Sequence, residues 1–318
     1  MTDDGRQSIW GPDPLTPLWL SIVILAWGAN YVVVKLALFD MAPFSFNALR
    51  FGGAWAILFL LLSVTGRQVL PSRDERGPLA VVGVLQVTVM LGLSSLALLW
   101  IEASRAVLIA YTLPIWTTLF GRWILKVRIG PLNVTGLAIG LAGLAVLLEP
   151  WALDWSGSLE LLGSALALAA TFGWSLGATL YKRRSWTAPL LAQVHWQFGI
   201  GAIPLLAIAL AFEADAPLNP TWRLGALAVY NWVVPVVLAY WCWSRVLMSI
   251  PPSNASQFLM LAPVWGVALG ILVFDEPAGP SLWISLVLII GGALLSMQSR
   301  RARHGGAPVR PSVGPPPQ

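Results

Sequence analysis

The chain has 318 residues, 57% of them hydrophobic and only 10% charged, with a formal net charge of +5. Soluble domains carry about 25% charged residues, so this composition excludes a water-facing globular fold. A single cysteine excludes an intrachain disulfide and a Cys-rich metal site, and basic connectors on one side of a membrane explain the positive excess more simply than nucleic acid does.

Residues 1–14 carry Asp3, Asp4 and Asp13 against Arg6, without a basic leader. No cleavable signal peptide is predicted, and the first span serves as its own insertion signal. Ten apolar runs follow, each about long enough to cross a bilayer. Helices are the only choice, because the runs lack the alternation of barrel strands. The first span, Leu15–Phe39, holds Trp27, Asn30 and Lys35, and the second, Pro43–Thr65, holds Arg50. The third, Pro78–Trp100, carries Ser95. The fourth, Ala103–Ile124, carries Tyr111, Thr112, Pro114 and Trp116. The fifth, Pro131–Leu148, has no charge. The sixth, Gly157–Tyr181, holds Trp174 and Ser175, and the seventh, Thr187–Phe212, holds His195, Trp196, Gln197 and Pro204. The eighth, Arg223–Met248, holds Asn231 and Pro235. The ninth, Ser253–Phe274, holds Gln257, Pro263 and Trp265, and the tenth is Gly279–Gln298. The tail, 299–318, turns Pro- and Gly-rich from Gly305 and is predicted to be disordered.

Charge orients the weave. Arg67, Arg73 and Arg76 follow span two; Arg122, Lys126 and Arg128 follow span four; Lys182, Arg183 and Arg184 follow span six. Arg245 closes span eight, and Arg300, Arg301 and Arg303 follow span ten. All fall on one side, while the other has only Arg105 and Arg223 as basic residues. The positive-inside rule therefore predicts both termini in the cytoplasm.

The chain repeats itself weakly. Ser104–Trp116 (SRAVLIAYTLPIW) aligns with Ser253–Trp265 (SNASQFLMLAPVW), so Pro114 meets Pro263 at a shift of 263 − 114 = 149 residues. Pro131 meets Pro280 and Gly143 meets Gly292 at the same shift. Five spans per half invert the second half relative to the first. Such inverted repeats are typical of transporters whose substrate site lies near the midplane.

Four pieces resemble the EamA-type families of the drug/metabolite transporter superfamily. They are Trp27–Lys35 (WGANYVVVK), Arg50, Ala103–Trp116, and Pro251–Pro277 with its PPSNAS, APVW and DEP segments. The resemblance implies a basket-like bundle that exports small metabolites, with aromatic-amino-acid exporters as the nearest functional neighbours. The fold expected is an all-α membrane bundle of ten helices in a five-plus-five inverted repeat. Residues 1–14 form a cytoplasmic segment, 15–150 and 151–298 the two halves, and 299–318 a cytoplasmic tail.

Function is sought in what stays polar inside lipid. A charge there costs roughly 3 kcal/mol or more and needs a partner or water. Lys35 and Arg50 are the basic residues set within spans. Both could attract a substrate carboxylate. Lys35 could instead snorkel towards Asp40, and Arg50 could bond backbone carbonyls. No Asp or Glu lies deep in a span, which disfavours carboxylate-coupled antiport. His195 is the one titratable candidate for proton coupling, although a lone membrane histidine more often bonds a neighbouring helix.

The substrate-site candidates are Trp27, Asn30, Arg50, Ser95, Tyr111, Trp174, Ser175, His195, Gln197, Asn231 and Gln257. Their amides and hydroxyls could bind the ends of a zwitterion or glue helices. Deep indoles could stack on an aromatic substrate or pack against lipid. Pro114 and Pro263 are the candidate hinges. No phosphate-binding loop, nucleophile elbow or His-based zinc site is present in the sequence, so no cofactor, metal or enzymatic activity is expected. The reading is an inner-membrane exporter of small amphipathic metabolites, amino acids foremost and aromatic ones included. It is expected to act as a monomer in the bilayer by gradient-driven alternating access. Proton-coupled multidrug or metabolite efflux is the alternative, and a lipid-modifying membrane enzyme is the alternative of another class.

Overall fold

The computed structural model describes residues 13–67, 69–126, 130–148, 159–249, 258–259 and 261–304. Every regular element among them is helical, as lipid demands when no water is present to satisfy an open backbone. Seven helices are long and apolar enough to cross a membrane, and three shorter apolar helices accompany them.

In chain order, α1 is Thr16–Ala37, α2 Pro43–Val64, α3 Arg73–Ala97 and α4 Ala103–Ile124. Then come α5 (Pro131–Leu148), α6 (Leu159–Lys182) and α7 (Leu190–Phe212). The eighth, α8, runs through Trp222–Asn231, Trp232–Leu238 and Ala239–Ser249; α9 is Ala262–Phe274 and α10 Pro280–His304. The helix α3 starts at Arg73, so Pro78 lies inside it rather than at its start.

Several helices are not uniform. A turn at Ala29 divides α1 into Thr16–Gly28 and Asn30–Ala37. A turn at Tyr111 and Thr112 divides α4 into Ala103–Ala110 and Leu113–Ile124. Pro114 therefore stands in the first turn of its segment, as Pro263 does in α9. There the missing N–H removes no bond that a helix start would make. For Pro114 the expected mid-helix kink is a break between segments instead, while Pro204 and Pro235 do lie inside helical stretches. Two stretches are π-helical, Val84–Gly92 in α3 and Trp232–Leu238 in α8. In the second, Pro235 cannot donate to the Asn231 carbonyl, and the wider π turn accommodates the gap. Thr112 and the turn residue Leu261 are 261 − 112 = 149 residues apart. The same shift carries Val84 onto Val233, inside the second π stretch.

Small residues let the helices meet. A Cβ on Gly292 would fall 2.5 Å from the Gly136 carbonyl oxygen, so α5 and α10 cross backbone to backbone. One on Gly28 would fall 2.5 Å from the Ala262 oxygen, so α1 and α9 touch likewise. A buried apolar cluster joins Val107, Leu108 and Ile109 of α4 to Val32, Phe46, Leu286 and Ile289.

Carboxylates tie the helix ends. Glu213 accepts from the Phe44 and Ser45 amides (3.1 and 2.7 Å) at the start of α2. Glu276 does the same for Ala103 and Ser104 (2.7 and 2.9 Å) at the start of α4, and Glu75 for Thr187 (2.5 Å) just before α7. Glu213 and Glu276 each place a negative charge on a positive helix end whose N–H groups lack partners.

The partner expected for Lys35 is corrected here. Its Nζ lies 3.0 Å from Glu276 Oε1 and donates to the Ile101 carbonyl (3.4 Å). Asp40 belongs to Arg223, which donates from Nε and Nη2 at 2.8 and 2.9 Å, and to the Thr221 hydroxyl at 3.0 Å. That guanidinium holds the Asp40 carboxyl below the usual carboxylate range. Lys35 thus finds its counter-charge in the second half of the chain, beyond the reach of local sequence reasoning.

Candidate functional site

A cavity of about 220 Å³ lies between α1, α2, α3, α6, α7 and α8. It is smaller than typical small-molecule sites, which run from roughly 300 Å³ upward. The turn at Ala29 sets Trp27 and Asn30 on its wall, α2 supplies Arg50 and Phe51, and α6 supplies Trp174. The π stretch of α3 supplies Gln86, Val87 and Leu91; α7 supplies Val194, Gln197 and Phe198; the π stretch of α8 supplies Pro235 and Val236. Both π stretches therefore face the same space, where a π turn re-aims side chains and often marks function. The Trp27 indole donates to the Pro235 carbonyl at 3.2 Å, joining α1 to α8. Trp232 donates to the Leu49 carbonyl at 3.1 Å, joining α8 to α2.

Arg50 dominates the chemistry. It is only 4% exposed, its Nε has no hydrogen-bond partner, and its guanidinium carbon lies 4.8 Å from the Phe51 ring centre. Among the described residues no Asp or Glu lines the cavity. The backbone carbonyls considered as structural partners for Arg50 do not satisfy its Nε. A small annex of about 20 Å³ adjoins, where Asn30, Tyr31, Arg50, Ser94 and Ser95 meet Val34, Leu91 and Leu98, with room for one small group. The Asn30 Oδ1 is buried without a partner. Ser95 accepts from Asn47 Nδ2 at 2.7 Å, fixing the floor of the annex.

The structure brings together Trp27, Asn30, Arg50, Trp174 and Gln197, with Ser95 in the annex. It sets the other candidates apart. Tyr111 packs on the apolar cluster around α4. Ser175 is buried and donates to the Leu113 carbonyl at 3.4 Å, between α6 and α4. Asn231 is buried and donates to the Leu227 carbonyl at 2.9 Å. His195 lines a separate apolar cleft of about 360 Å³ between α2 and α7. Its ring is stacked on Trp55 (centroids 5.6 Å apart, planes 20° apart) and lies 6.0 Å from Phe59. Gln257 falls outside the described residues.

Gln86 and the aromatic residues Phe51 and Phe198 line the cavity as well, beyond the expected set. Gln86 had a signal, since it is a lone amide well inside an apolar run; the phenylalanines are indistinguishable in sequence from lipid-facing ones. Among the described residues, no group of three His, Cys, Asp or Glu side chains is placed to hold a metal ion.

A model of the EamA-like transporter family matches the chain twice, over residues 15–149 and 161–298. The uncharacterized transporter YoaV of Bacillus subtilis is 23% identical over 274 residues, covering 86% of this chain and 94% of that protein. A probable amino-acid metabolite efflux pump of Escherichia coli is 24% identical over 293 residues, covering 89% and 94%. The uncharacterized inner membrane transporter YedA of Escherichia coli is 24% identical over 314 residues, covering 95% and 96%. A crystal structure at 21% identity covers 93% of this chain and all of that one, with a TM-score of 0.62, and so shares its fold.

Proposed function

The chain belongs to the EamA-like transporter family, and from that premise we propose that it exports small amphipathic metabolites through the cavity around Arg50. Amino acids, aromatic ones included, are the cargo class this reading starts from. The observation that carries this reading is a membrane-embedded cavity with apolar and aromatic walls and one buried cation. Arg50 takes the carboxylate, Trp27 and Trp174 stack on the side chain, and Asn30, Gln86 and Gln197 supply neutral hydrogen bonds.

The transport cycle is alternating access between two inverted five-helix halves, 15–150 and 151–298, with both termini in the cytoplasm. Three features support the repeat: two matches to one family model, the π stretches at one shift, and the turns at Thr112 and Leu261 at the same shift. The cavity draws on α1, α2 and α3 from one half and on α6, α7 and α8 from the other. The turns before Pro114 and Pro263 are the pivots, because a helix already interrupted can reorient at the break. His195 stands away from the cavity, which favours a gradient-driven facilitator over proton coupling. A monomer in the bacterial inner membrane completes the reading.

The test is flux. Purified protein in liposomes should carry labelled phenylalanine or tryptophan down its gradient without ATP. A broad amino-acid panel that moves no faster than in protein-free liposomes removes the cargo assignment.

A further inference from the structure

The transport reading leaves open how the cavity sorts charge, and the inference here rests on that reading. We propose that the cavity selects net anions, so that an amphipathic monocarboxylate is preferred to the corresponding zwitterionic amino acid.

A zwitterion brings two charges into the bundle, and each needs a counter-charge once water is stripped away. The carboxylate has one in Arg50, which is nine-tenths buried with an unpaired Nε. The ammonium group has none, since among the described residues no Asp or Glu lines the cavity. Three carboxylates at the ends of the bundle are engaged elsewhere: Glu213 caps α2, Glu276 caps α4 and pairs with Lys35, and Asp40 pairs with Arg223. An ammonium group would meet the Asn30 Oδ1, which has no partner, and indole faces. Neutral acceptors offset part of its desolvation, but it would also lie in the field of Arg50, which repels it at low dielectric. Removing the amino group removes that penalty and keeps the ion pair. The Asn30 oxygen is instead matched to an uncharged donor, such as a hydroxyl or an amide N–H.

The experiment is a binding series on the wild-type protein in nanodiscs, measured by calorimetry. The probes are 3-phenylpropanoate, phenylalanine, phenethylamine and 3-phenylpropanamide. The expected order is 3-phenylpropanoate first, then phenylalanine. The amine and the amide should bind at least about tenfold more weakly than the anion, the loss that one charge-assisted hydrogen bond accounts for. Phenethylamine binding as tightly as 3-phenylpropanoate overturns the proposal, and so does phenylalanine binding more tightly than the anion. Arg50→Gln should abolish the preference for the anion over the amide, and Arg50→Lys should keep part of it. If Arg50→Gln does not fold, the wild-type series still decides. Flux separates this inference from the reading beneath it. Anion-selective binding with no flux of any probe sinks the transport reading and leaves the charge selection standing. Flux with tight amine binding does the reverse.

Discussion

Lys35 and Glu276 form a 3.0 Å ion pair between residues 241 positions apart in sequence. The carboxylate also caps α4 through the Ala103 and Ser104 amides, so one side chain holds α1, α4 and the connector after α9 together. Glu276 is 3% exposed and Lys35 20%. Glu276→Ala should therefore lose about 3 kcal/mol, at the lower edge for breaking a buried pair. Lys35→Met should lose less, because the carboxylate keeps its amide donors. Thermal unfolding in detergent ranks the two, and equal losses would mean that the amides contribute little.

The same carboxylate gives a pH dependence. Burial alone would raise its pKa, but the hydrogen bonds from Ser104, Lys35 and Ala103 outweigh burial and hold it below the ordinary value. A group depressed in the folded state contributes stability that is complete above its unfolded pKa, about 4.3, and is lost as pH falls through the folded value. Melting temperature should fall with acidification below that point. The fall should be shallower in Glu276→Gln, measured by melting at a series of pH values; an identical slope in both proteins would rule out this contribution.

Neighbouring glycines of α10 should behave differently. A Cβ at Gly292 would meet Gly136 and Gly140 backbone atoms at 2.5 and 2.6 Å, whereas one at Gly291 would meet nothing within 4 Å. Gly292→Ala should cost roughly 1–3 kcal/mol, the usual range for overpacking. Gly291→Ala should be neutral or slightly stabilising, since alanine is the better helix former. Comparing the two melting curves tests whether α5 and α10 cross where described.

His195 lies outside the cavity, against Trp55 and Phe59. His195→Asn should change flux by less than about twofold, well short of the tenfold that 1.4 kcal/mol represents, with the pH profile of transport unaltered. A profile that flattens in the variant would restore proton coupling.

Hydropathy made much of the helical frame legible, because lipid forces a long apolar run to be a helix. Pro43–Val64 and Pro131–Leu148 stand within a residue of their expected ends. What escaped was non-local or below the resolution of a pattern. Asp40 is the carboxylate nearest to Lys35 in sequence, yet the chain brings Glu276 to it. The π stretches leave no periodic trace, and only Pro235 hinted at one. Five cavity residues, Trp27, Asn30, Arg50, Trp174 and Gln197, were readable because polar or indole groups inside an apolar run stand out. Tyr111, Ser175, Asn231 and His195 stood out equally but do not line this cavity, since sequence does not say which way a helix turns its face.

The measurement that bears most directly on the account is two-sided access to Gln86. In a Cys242→Ser background, Gln86→Cys would be probed with an impermeant thiol reagent from each face of oriented vesicles. Alternating access predicts labelling from either side, slowed by phenylalanine or 3-phenylpropanoate. Labelling from one face alone, or labelling that neither ligand slows, would contradict it.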